Sequence, residues 1–71
     1  MTRSPPIEHI LQFFKFSHLP AHLQAVSKPF ADLAEVIADS SSNAETTVAL
    51  RKLLEAKDAS VRAVLITPKE S

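Results

Sequence analysis

The sequence predicts an all-α protein, an antiparallel helical hairpin preceded by a short N-terminal helix. Three observations carry that prediction. Apolar residues recur at helical spacing in two long stretches, one polar patch (Ser40, Ser41, Ser42, Asn43) separates them, and Gly is absent from all 71 residues. Patterning with a period near 3.6 over such lengths argues against strands. The lack of Gly removes tight two-residue strand turns and Gly-rich phosphate loops alike.

In the first long stretch Leu23, Val26, Phe30, Leu33 and Ile37 are spaced 3, 4, 3 and 4, one apolar face of a helix. The phase continues through Pro29. Pro has no backbone donor and crowds the preceding turn, so a kink is expected there. Pro20 fits the first helical position, where a missing N–H is harmless, and the helix is expected over about 20–39. In the second stretch Ser42 and Glu45 have the spacing of a capping box, opening a helix over about 43–67. Its apolar series is Leu50, Leu54, Val61 and Val64, widened by Leu53 and Leu65, and Pro68 marks the stop after Thr67. Ahead of both, Ser4 is a candidate cap and Pro5 stands in the first turn of a short helix over about 5–16 that carries Ile7, Ile10, Leu11, Phe13 and Phe14. These residues cover more than one face, and the excess is expected to be buried against a neighbouring subunit.

Length supports the same expectation. Seventy-one residues form one domain, 1–71, whose single-chain core is marginal. With no Cys, neither disulfides nor thiolate metal sites can staple it, which leaves oligomerisation as the remedy. Eight basic and eight acidic side chains cancel, so the chain lacks the long-range field that holds a nucleic-acid duplex or an anionic membrane. An anionic ligand must therefore be small and locally bound. No apolar run reaches signal-peptide length or the roughly 20 residues of a membrane span, and a cytoplasmic location is expected.

Several side chains invite two readings. Arg51, Glu55, Asp58 and Arg62 lie at 0, 4, 7 and 11 along the third helix, on one stripe. They form either an intrahelical ion-pair ladder or a row whose arginines face an inter-subunit pocket, where guanidinium groups grip phosphate. Lys28, next to Pro29, either pairs with Asp32 or projects toward an anion. Phe13, Phe14 and Phe16 are core, or one ring is left at a subunit boundary to stack on a nucleobase. His18 and His22 have helical metal-pair spacing, yet no carboxylate or Cys supports them, so no metal is expected. Nor is a cofactor. No nucleophile–base arrangement or isolated carboxylate pair points to catalysis, and the chain is not expected to be an enzyme.

The string FFKFSHLPAHLQAVSKPFADLAEVI, followed by TVALRKLLEAKDASVRAVL, resembles a family of small bacteriophage proteins, the anti-CBASS cyclic-nucleotide sponges, over about residues 9–65. The resemblance implies a homo-hexamer of helical hairpins, acting in the cytoplasm of the infected bacterial host. It would sequester cyclic dinucleotides in pockets between protomers and, in some members, cyclic trinucleotides in separate pockets, without cleaving them. It assigns base stacking in the dinucleotide pocket to Phe13 or Phe16 and phosphate contact to Lys28. The trinucleotide pocket falls to Arg51, Thr47 and either Lys57 or Arg62. The family's stacking residue is associated with Tyr, and this chain has none. A reading of a different class is a helical interaction module whose apolar first helix docks onto a host protein.

Overall fold

The computed structural model describes residues 3–66, and among them every regular element is helical. Helix α1 spans Pro5–Leu11 and runs into a 3-10 turn, Gln12–Phe14. Helix α2 spans Ala21–Ser40 and α3 spans Ala44–Leu65. Helices α2 and α3 form the hairpin, and α1 lies across one side of it, touching both.

The first helix ends sooner than its expected limit at residue 16. No residue from 3 to 66 takes a positive φ, so no left-handed cap closes the helix; the chain tightens into the 3-10 turn, and Lys15 N–H donates to the Gln12 carbonyl at 3.4 Å. Ser4 occupies the cap position, but its side chain accepts nothing there. Pro20 is the cap of α2, one residue earlier in role than expected. Its carbonyl accepts from the Leu23 and Gln24 N–H groups, both at 2.9 Å. The Gln24 amide reaches back to the Leu19 carbonyl at 2.7 Å, fixing the entry of the chain.

Helix α2 runs through Pro29. Pro29 and Ala25, whose carbonyl loses its partner, are both exposed, so water can take that acceptor. The expected Ser42–Glu45 capping box is displaced by one residue. Asn43 Oδ1 accepts from Thr46 N–H at 3.1 Å, and Thr46 Oγ1 accepts from Asn43 N–H at 3.3 Å. Asn is as good an acceptor as Ser at this position. The shift also satisfies the hydroxyl of Thr46, which is buried and lies 2.6 Å from Ser41 Oγ. Thr67 and Pro68, the expected end of α3, lie outside the described residues.

The core corrects the sequence reading at its centre. The buried line of α2 is Leu23, Ser27, Ala34 and Ala38, not the larger stripe; Leu33 is 47% exposed, while Val26, Phe30 and Ile37 are half-buried. The reason is α1. Ile7, Ile10 and Phe14 fill the space above the hairpin, packing with Leu50 of α3 and with Ala34 and Ala38 of α2, while Phe30 and Ile37 are only partly buried against them. On α3 Leu50 is fully buried, but Val64 and Leu65 at its far end are exposed. The surplus apolar surface expected on the first helix is thus mostly elsewhere. Phe13 is its contribution, whereas Leu33 and Val36 on α2 and Val48, Val64, Leu65 and Ile66 at the two ends of α3 make up the remainder. The radius of gyration, 13.2 Å, exceeds the roughly 11 Å of a compact domain of this length, and the elongated hairpin leaves one side bare.

Ser27 is fully buried and its hydroxyl has no hydrogen-bond partner. Removing such a group relieves a desolvation penalty, so Ser27→Ala should raise stability by about 1 kcal/mol, read as a higher midpoint in thermal or urea unfolding. Asn43→Ala should lower it by about 1 kcal/mol in the same assay through loss of the cap.

Candidate ligand cleft and the placement of the charged side chains

Two clefts flank α1. One, of about 330 Å³, lies between α1 and α3. Pro6, Ile10 and Leu54 form its apolar wall, and its remaining lining is His9, Phe13, Thr47 and Arg51. Local structure explains each position. Thr47 and Arg51 are one helical turn apart on α3, on the side that meets α1. Phe13 sits in the 3-10 turn directly before the buried Phe14, so anchoring Phe14 in the core turns Phe13 outward, where it stays 50% exposed. His9 packs against it with ring centroids 5.6 Å apart and planes at 80°, an edge-to-face pair. The Gln12 amide nitrogen lies 3.0 Å from His9 Nδ1.

The electrostatics of this cleft are one-sided. No carboxylate lines it, and Arg51 makes no ion pair among the described residues. The expected ladder does not form. Its one paired member among the described residues is Asp58, which forms an ion pair at 3.0 Å with Lys57 instead of Arg62. Arg51 is therefore an exposed guanidinium beside a half-exposed ring and a hydroxyl, an arrangement suited to an anion that carries a planar group.

The second cleft, of about 440 Å³, lies between α1, the 3-10 turn and α2. It holds Phe16 and two basic residues, Arg3 and Lys15, but also two acidic ones, Glu8 and Glu35. Arg3 donates to Glu35 and to Asp39 Oδ1, the latter from Nη2 at 2.9 Å and Nε at 3.1 Å, so its charge is already answered. Glu35 first, then Asp39, holds the guanidinium above its usual pKa. A raised folded-state value means that this contribution is fully present throughout neutral pH and fades only in strong alkali.

The three side chains grouped for a cyclic dinucleotide are dispersed on one protomer. Phe13 and Phe16 line different clefts, and Lys28 lines neither; it is exposed and pairs with Asp32 at 2.7 Å. Of the four grouped for a trinucleotide, Thr47 and Arg51 come together. Lys57 is largely covered, with 14% of its side chain exposed, and Arg62 lies three turns from Arg51, about 16 Å along the axis. His18 is in the turn before α2 and His22 in its first turn, and among the described residues no three metal-ligating side chains cluster. No helix of the described residues is long and apolar enough to cross a membrane. His9 escaped sequence reasoning; the usable signal was its spacing of four from Phe13 and three from Gln12 on one helical turn.

Because Arg51 is exposed and unpaired, Arg51→Ala should change stability by less than about 0.5 kcal/mol in urea unfolding. Leu50→Ala, one residue away but fully buried, should cost about 3 kcal/mol in the same assay. Comparison of the chain with protein-family models, curated proteins and solved structures finds no match.

Proposed function

We propose that this protein self-associates and binds cyclic oligonucleotide second messengers without cleaving them, as the phage anti-CBASS sponges it resembles do, in the cytoplasm of an infected bacterial host. The observation that carries the reading is the cleft in which half-exposed Phe13, Thr47 and unpaired Arg51 meet with no carboxylate among them. A ring for a base, a hydroxyl and a guanidinium for a phosphate are the complement of a nucleotide.

Size supports sharing between subunits. Ligand pockets run from about 300 to 1,000 Å³ and bury most of their ligand, so a cleft of about 330 Å³ suits one nucleotide unit, not a ring of two or three. A symmetric ligand is then covered by symmetry-related clefts. The bare side of the hairpin supplies a surface for association. Leu33 and Val36, 47% and 61% exposed, lie one turn apart on α2, and Leu33 is about 200° around the helix from Ala31, which faces α1. Lys28 and Phe16 join a ligand site in this reading only where a second protomer brings them to it. Sequestration requires protein copies and affinity in excess of the messenger, which suits a short chain with several sites per assembly.

Titration calorimetry with a panel of cyclic dinucleotides and trinucleotides tests the reading. Binding is expected at one ligand per two or per three chains, with unchanged nucleotide recovered after denaturation. Phe13→Ala should weaken it by about 1–3 kcal/mol. Cleaved nucleotide, or no heat with any ligand, would overturn the proposal. In light scattering the native chain should give a closed oligomer and Leu33→Glu a smaller species. A monomer that associates only with a host protein would favour the interaction-module reading instead.

A further inference from the structure

The cleft between α1 and α3 contains a third polar side chain besides Thr47 and Arg51. His9 lines it, and its ring is fixed on two sides, by the edge-to-face contact with Phe13 and by Gln12. Gln12 Nε2 and His9 Nδ1 lie 3.0 Å apart, and with Nδ1 as the acceptor of that contact a neutral ring has its proton on Nε2. In that arrangement Gln12 sets the tautomer, much as an outer partner does for a metal-bound imidazole. The cleft has polar side chains on both walls, His9 on α1 and Thr47 and Arg51 on α3, and no acidic side chain among its described lining residues.

We propose that His9 is a ligand-contacting residue of this cleft that donates Nε2–H to a phosphodiester oxygen of the bound anion, with Gln12 as the positioning residue that holds the proton there. The inference rests on the nucleotide-binding reading above and adds to it a second wall for the phosphate. A fixed donor loses less freedom on binding than a mobile one. Because the contact is to the phosphodiester and not to a base, its contribution is the same for every base in the ring.

Two substitutions separate the donor from the ring. His9→Phe keeps an aromatic edge against Phe13 and removes the donor; His9→Gln keeps a donor and removes the ring. His9 is exposed, so both variants should fold, which circular dichroism checks. Calorimetry with cyclic di-guanylate and cyclic di-adenylate should find His9→Phe weakened about 5- to 10-fold for both ligands and His9→Gln within about 2-fold of native. The reverse order would make His9 a prop for Phe13 and overturn the proposal, as would a loss confined to one base. No heat with the unaltered chain would overturn the nucleotide reading and this inference together, whereas full binding by His9→Phe would overturn this inference alone. Proton–nitrogen correlation spectra of the free protein give a readout that needs no ligand. The imidazole proton should be on Nε2 and should redistribute in Gln12→Leu; a proton on Nδ1 in the native chain overturns the assignment.

Discussion

The seating of α1 on the hairpin is the contact on which the other features depend. Ile7, Ile10 and Phe14 enter between the long helices and close over Leu50, Ala34 and Ala38. Among the described residues this is most of the large buried apolar volume, since Leu23 and Leu50 are the only other large core residues there. Each such side chain is worth about 1.5–3 kcal/mol on burial, and a domain this small has little in reserve. The seating dictates small residues on the facing line of α2, and it pushes Leu33 and Val36 out of the core. One packing decision thus creates both the monomer's interior and the apolar surface that the monomer leaves uncovered.

Polar contacts hold that arrangement in register. Arg3, just ahead of α1, bridges Glu35 and Asp39 on the last turns of α2 and so ties the start of the helix to the turn end of the hairpin. At the turn, Ser41, Asn43 and Thr46 close a small hydrogen-bonded group that ends one helix and starts the next without Gly. Exposed ion pairs contribute little each, but a bidentate arginine between two carboxylates has geometry in its favour. The buried Ser27 hydroxyl is the one unpartnered polar group of the described interior.

The same seating makes the candidate ligand cleft. Burying Phe14 commits its neighbour Phe13 to the outside, and the line of contact between α1 and α3 places that ring opposite Thr47 and Arg51. The two clefts differ in charge for a local reason. On the α2 side, Arg3 and Lys15 are accompanied by Glu8 and Glu35, and on the α3 side no acid among the described residues accompanies Arg51. A chain with no net charge can in this way keep one locally basic recess, because the field that acts on a small anion is set by groups within a few ångströms.

Period and punctuation determined the helices. The 3–4 spacing of Leu23 to Ile37, the polar patch at Ser40 to Asn43 and the prolines at 5 and 20 place all three elements within a few residues, because backbone hydrogen bonding and proline's missing donor act locally. Candidate residues were legible as types: an arginine row, a run of phenylalanines, a lysine beside a proline. Which face is buried was not, since of the expected stripe only Leu23 is buried and the rest yields to Ala34 and Ala38 once α1 occupies the space above them. Nor was the fate of the charges. Arg51 and Lys28 offer the same spacing to an acid four residues on, yet Lys28 pairs with Asp32 and Arg51 does not pair with Glu55. That Phe13, Thr47 and Arg51 share a recess with His9 follows from how α1 crosses α3, a contact between segments more than thirty residues apart that no local pattern encodes.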